Sequence, residues 1–170
     1  AIDIAPLYTS IWESLRYSVF QVASIISTTG FATADFVLWP HFSQTILVLL
    51  MFCGACAGST GGGIKCSRVL ILLRSIRREI HRVIHPRSVE VVKLDGKVVE
   101  EDTLRSISVF VGSYLFIILA ATLIISLDDF PFSVSFSSAL TCISNVGPGL
   151  ELVGPTGNFS AFSHLSKIVM

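Results

Sequence analysis

Ile26-Ser27-Thr28-Thr29-Gly30 and Ile143-Ser144-Asn145-Val146-Gly147 stand 117 residues apart, and each closes a hydroxyl-rich apolar segment on a glycine. A dehydrated cation needs several backbone carbonyls from successive residues, and glycine adopts the backbone angles that aim a carbonyl inward without a side-chain clash. The pair reads as two copies of an ion-selectivity loop in a membrane pore. An isolated Ser-x-x-Gly is a surface turn by default. Two in register, each between apolar segments, reverse that reading. At the same offset Ser18 matches Ser135 and Phe42-Ser43 matches Phe159-Ser160, giving six identities between 15–43 and 132–160. The shared order is the stronger signal: a short amphipathic segment, a loop, a polar connector, then Phe-Ser opening an apolar helix. Such an internal repeat marks a duplicated structural unit.

Composition places these loops in a membrane. Hydrophobic residues make up 52% of the chain and charged ones 14%, and the mean hydropathy is +0.75, which excludes an ordinary soluble domain. Residues 106–127 carry no charge; as a helix they would cover about 33 Å, enough to cross a hydrocarbon core. A second apolar run, Phe42 to Leu73, is interrupted by Gly58-Ser59-Thr60-Gly61-Gly62-Gly63. Each glycine costs a helix interior about 1 kcal/mol relative to alanine, so the run is expected to be a helix over 43–57, an irregular loop, and a helix from 64 onward. Non-helical backbone at membrane depth is tolerated only against protein or a water-filled cavity. The break therefore points to a pore, and residues 58–63 to a movable constriction in it.

Ten of the twelve Lys and Arg residues fall between Lys65 and Arg105, so that connector is expected to be cytoplasmic and the glycine loops to face outward. Asp3, Glu13, Asp35, Asp128, Asp129 and Glu151 then lie outside against Arg16 and Lys167. That imbalance reads either as ordinary polar loops or as an acidic vestibule that concentrates cations. Arg77, Arg78, Arg82 and Arg87 are expected to reach the headgroups and cytosol. Residues 89–99 alternate around Asp95-Gly96, the signal of a small hairpin and a plausible docking surface.

Other motifs carry less. Gly58 to Lys65 lacks the Gly-Lys-Ser/Thr ending of a phosphate-binding loop. Cys53-x-x-Cys56 lies in an apolar helix with no second ligand pair, so packing is the expected role. His81 and His85 share a helix face without the glutamate of a zinc-protease motif. Gly54-x-x-x-Gly58 and Gly58-x-x-x-Gly62 would let a helix approach closely. A straight helix from Ser43 would carry Lys65 about 33 Å down to the inner interface, where snorkelling is the favoured reading over a place in the cavity below the loops.

The run Ser27 to Phe31, then Gly54 to Lys65, then His85-Pro86-Arg87, then Ser144 to Leu150 resembles the membrane subunit of Trk/Ktr-type potassium uptake systems, closest to the TrkH branch. The resemblance covers nearly the whole chain, with the motifs in the family's order. It implies an all-α membrane protein of repeated helix–pore loop–helix units with re-entrant pore helices and a glycine-broken inner helix, part of a pseudo-fourfold channel core. On that pattern residues 1–41 form the third pore helix and filter loop, 42–80 the third inner membrane helix broken at 58–63, 81–104 the cytoplasmic connector, 105–129 the fourth outer membrane helix, 130–158 the fourth pore helix and filter loop, and 159–170 the start of the last membrane helix. Two of four loops are present, so the chain reads as a fragment, the C-terminal half of such a core.

The resemblance further implies that filter carbonyls come from Thr28, Thr29 and Gly30 and from Asn145, Val146 and Gly147. Potassium is the metal expected there, with no transition metal and no cofactor. Gly58, Ser59, Thr60, Gly61, Gly62, Gly63 and Lys65 would form the gate. Phe31 and Pro148 follow the two glycines, a departure from symmetry that suggests a looser filter than a homotetrameric channel's. The implied function is transmembrane transport of potassium, or of sodium, without covalent chemistry, in a multi-pass protein of the bacterial inner membrane. Residues 74–104 would be cytoplasmic. The implied partners are membrane lipid, a second copy of the full-length subunit and cytosolic nucleotide-binding regulatory subunits, not nucleic acid. Two other classes compete: a secondary carrier whose re-entrant hairpins bind an anionic substrate, which needs a basic residue beside the loops where only Arg16 is near, and a membrane-embedded thiol or metal enzyme, which needs convergent Cys and His.

Overall fold

The computed structural model describes residues 1–54, 62–85, 91–94 and 96–170. Helix α1 (Ile11–Ile26) starts where the Ser10 side chain accepts from the Trp12 amide at 3.3 Å, with Glu13 in its first turn at the positive end of the helix dipole. Helix α2 (His41–Cys53) follows Pro40 directly. The chain returns to its starting point between them: Trp39 Nε1 donates to the Tyr8 hydroxyl at 3.0 Å, and Ser43 Oγ to the Asp3 carboxylate at 2.6 Å. Residues 8–39 thus form an excursion that enters and leaves on one side.

Helix α3 (Cys66–Ile84) is amphipathic and basic, and a short hairpin of β1 (Lys93–Leu94) and β2 (Lys97–Val98) pairs Lys93 with Val98. Helix α4 (Glu101–Ile125) follows. Its buried positions Leu104, Ile107, Val111, Tyr114, Ile118, Ala121 and Ile125 alternate by three and four, one continuous stripe. Its opposite face is also apolar, with Val109 62%, Phe116 72% and Leu123 72% exposed. It is the one helix among the described residues long and apolar enough to cross a membrane. A helix hydrophobic on every side suits a lipid-facing position.

Helix α5 (Phe132–Ser144) is 13 residues, about 20 Å and too short to cross. It also belongs to an excursion that closes on itself, since the Ser163 amide donates to Asp128 at 3.0 Å and the Phe130 and Phe162 rings lie 4.7 Å apart. The final helix, α6, spans His164–Val169. The expected helix opening at Phe159-Ser160 is displaced: Asn158 caps a short 3-10 turn there, Phe162 is extended, and Ser163 caps the helix that follows. In the first unit Phe42-Ser43 lies inside α2. The two units diverge beyond their loops.

Phe52, at the end of α2, packs against Tyr114 and Phe136 with ring separations of 6.4 and 6.2 Å, joining α2, α4 and α5. Helix α3 is tied to α4 by its arginines. Arg68 lies over the Phe110 ring at 4.2 Å, and Arg78 Nη1 donates to Glu101 at 2.5 Å. Arg74 donates to the Lys93 carbonyl of the hairpin. Arg78 is therefore a structural tie rather than part of a free basic surface, whereas Arg77 and Arg82 are exposed. Arg87 lies outside the described residues.

Candidate ion site

Both helices that precede the candidate loops end in the same backbone device. Beyond α1, Thr28 takes a left-handed φ of 54° and Gly30 a φ of 77°; beyond α5, Asn145 takes 54° and Gly147 103°. The Thr29 amide donates back to the Ser24 carbonyl at 2.9 Å, and the Val146 amide to the Thr141 carbonyl at 3.0 Å. The Thr28 and Asn145 amides donate to Ile25 and Cys142. This is the Schellman pattern of a helix terminated by a left-handed residue, repeated at the 117-residue offset. Threonine and asparagine occupy positions that favour glycine, so the surroundings over-determine the conformation. Among the described residues, no hydrogen bond is accepted by the carbonyls of Thr28, Thr29, Gly30, Asn145, Val146 or Gly147.

The loops meet backbone to backbone. A side chain on Gly30 would place its Cβ 2.2 Å from the Val146 carbonyl oxygen, and Val146 is only 2% exposed. Beside this contact lies a cavity of about 430 Å³ lined by Gly30, Phe31, Gly147, Pro148 and residues of the second return segment. Thr156 Oγ1 also reaches the Asp35 carboxylate at 3.4 Å, joining the two return segments.

Side chains that sequence reasoning did not single out hold the loops. Buried Gln21 donates to the Ala34 carbonyl at 2.9 Å and buried Ser24 to the Phe31 carbonyl at 2.6 Å. In the second unit Ser137 Oγ accepts from the Leu150 amide at 3.1 Å, and the Tyr114 and Ser144 hydroxyls lie 2.7 Å apart. Their signal was available as polar residues on otherwise apolar helices, where burial without a partner is costly.

The glycine-rich break begins earlier than the helix expected over 43–57 allows. Helix α2 ends at Cys53, and Gly54 takes a φ of 55°. Gly62 and Gly63 return to the same place: a Cβ on Gly54 would lie 2.5 Å from the Gly62 carbonyl oxygen, and the Ile64 amide donates to Phe52 at 2.8 Å. Gly54 thus packs against its own chain's return, while Gly58 of the Gly54-x-x-x-Gly58 spacing lies outside the described residues. The return foot abuts the second loop, because a Cβ on Gly62 would sit 2.2 Å from the Ser144 carbonyl oxygen. Gly58, Ser59, Thr60 and Gly61 lie outside the described residues.

Lys65 immediately precedes α3, at the level of α2's last turn. Helix α2 is 13 residues long, so that level is about 20 Å from its start rather than about 33 Å. The straight-helix depth that favoured snorkelling is overturned by the fold-back at Gly54. The acidic residues that read either as ordinary polar loops or as a vestibule make local contacts. Glu13 accepts from Thr9 and Glu151 from Ser133, Asp35 caps a turn, and Asp3 and Asp128 close the two excursions. The His81 and His85 rings lie 4.9 Å apart on one face. Cys53, Cys66 and Cys142 are free thiols; Cys56 lies outside the described residues. No group of three or more potential metal ligands occurs among the described residues.

The family model for TrkH, described as a cation transport protein, matches residues 10–170. The chain belongs to the TrkH family. Among TrkH relatives, the Trk system potassium uptake protein TrkH of Salmonella typhimurium is 34% identical over 167 residues, covering 96% of this chain and 34% of that protein. The Trk system potassium uptake protein TrkG of Escherichia coli is 34% identical over 157 residues, covering 92% of this chain and 32% of that protein. The crystal structure of the potassium transporter TrkH from Vibrio parahaemolyticus superposes with a TM-score of 0.83 at 31% identity, over 99% of this chain and 36% of that one. The chain thus spans about a third of the length of these TrkH relatives, and its mostly helical architecture matches that part of the TrkH structure.

Proposed function

We propose that the full-length protein containing this chain carries potassium, with sodium as the competing alternative, across a bacterial inner membrane through a filter to which these two loops contribute. The observation that carries the proposal is the recurrence, 117 residues apart, of one loop backbone whose six carbonyls accept no hydrogen bond among the described residues. Carbonyls released from internal bonding can replace the hydration shell of a cation. Thr28, Thr29, Gly30, Asn145, Val146 and Gly147 supply those carbonyls. The same reading gives residues 58–63 and Lys65 the role of gate; of these, Gly62 stands against the Ser144 carbonyl of the second loop. No observation favours the anionic-substrate carrier, because Arg16 stacks on Tyr17 at 5.1 Å, well back along α1 from the loop.

Rubidium uptake by a potassium-uptake-deficient strain expressing the full-length protein tests the reading. Uptake competed by potassium and much less by sodium is expected. Uptake no higher than that of the empty strain would sink it.

A further inference from the structure

A cavity of about 520 Å³ opens between α3 and α4 on the connector side of the molecule, away from the loops. Its wall along α4 runs from Asp102 through Ser106 and Ile107 to Phe110, and Arg68 and Ile71 of α3 face it. The charge-free stretch of α4 begins at Ser106. Asp102 therefore lies one turn outside the hydrocarbon boundary and Phe110 one turn inside it, about 6 Å in each direction. The cavity straddles the level at which a lipid passes from headgroup to acyl chain.

Its charges are arranged for a particular headgroup. The Arg68 guanidinium lies over Phe110 at 4.2 Å, at the inner end, and the Asp102 carboxylate stands at the outer end. Neither forms an ion pair with any described residue. Ser106 lies between them, one turn from Asp102 on the same face of α4.

We propose that this cavity binds a phospholipid with a phosphoethanolamine headgroup. The phosphate accepts from Arg68 and Ser106, and the ammonium, joined to it by a two-carbon arm, donates outward to Asp102. The first acyl carbons rest on Phe110 at the inner end of the cavity, whose floor is made by buried Ile71 and Ile107. A choline headgroup has no N–H to give Asp102, and an anionic glycerol headgroup leaves the carboxylate uncompensated. The inference rests on the membrane depth of α4 but not on the filter assignment.

The test is native mass spectrometry of the full-length protein in detergent, titrated with palmitoyl-oleoyl phosphatidylethanolamine, phosphatidylglycerol and phosphatidylcholine. Wild type should bind the ethanolamine lipid about tenfold more tightly than the other two, the size expected of one charge-assisted hydrogen bond. Asp102→Asn should abolish that preference while leaving rubidium uptake intact, and Arg68→Gln should weaken binding of all three lipids. Soluble phosphoethanolamine should displace none of them, because it lacks the apolar contacts. Equal wild-type affinity for the three lipids, a preference that survives Asp102→Asn, or displacement by soluble phosphoethanolamine would each overturn the proposal. Intact uptake alongside any of these results would leave ion transport standing.

Discussion

Gly30→Ser in the full-length protein is expected to remove most of the discrimination between potassium and sodium, whereas Gly147→Ser should reduce it less. At Gly30 two penalties coincide. The φ of 77° is one that side-chain-bearing residues rarely adopt, costing about 1–2 kcal/mol. The new Cβ would also stand 2.2 Å from the Val146 carbonyl oxygen, a backbone atom rather than the end of a flexible side chain. Relief requires one loop or the other to turn its carbonyls. A distortion of that energy falling on the coordination shell alters relative ion binding by roughly tenfold. At Gly147 the strained φ of 103° remains, but a Cβ meets nothing within 4 Å, so only the first penalty applies. Competition of sodium against rubidium uptake reads both variants. Equal, wild-type discrimination in the two would remove the loops from the filter.

Shortening the glycine-rich break is the second large effect. Deleting Gly58 to Gly61 should raise ion flux several-fold with ion preference nearly unchanged, because it takes out four of the residues assigned to the gate and keeps the feet of the break at Gly54, Gly62 and Gly63. Gly62 and Gly63 must be spared. Gly62 is lodged against the Ser144 carbonyl, and Gly63, with a φ of 73°, is packed against the Met51 and Phe52 carbonyls; removing them would disturb the second loop and confuse gating with selectivity. Gates are drawn from segments of low local stability, and non-helical backbone at membrane depth requires a lined cavity. Flux measured in proteoliposomes separates the outcomes. A folded deletion variant with wild-type flux would reduce the break to a kink that lets helices pack.

The parts of this fold legible in the sequence were those written in local chemistry. The two glycines, their 117-residue spacing and the uncharged stretch of 106–127 require no partner to interpret, since backbone conformation and hydropathy are properties of the segment itself. The end of α2 was not legible. Ala55, Cys56 and Ala57 are compatible with helix, and Gly54 by itself gives no reason to stop there. What stops the helix is tertiary: the return of Gly62 and Ile64 onto Phe52 and Gly54, which no local propensity encodes. The depth of Lys65 failed for the same reason. The roles of Gln21, Ser24, Ser137 and Tyr114 needed the folded partner, because a lone polar residue on an apolar helix signals a hydrogen bond without naming its acceptor. Arg78 shows the converse, where a charge expected to reach the headgroups and cytosol is committed to Glu101 across the helix pair.

The most direct measurement is anomalous scattering from rubidium in crystals of the full-length protein. The account predicts a rubidium peak bounded by the carbonyls of Thr28, Thr29 and Gly30 on one side and Asn145, Val146 and Gly147 on another, at about 3 Å from the nearest of them. Rubidium bound elsewhere in the protein, with these six carbonyls facing no ion, would contradict it.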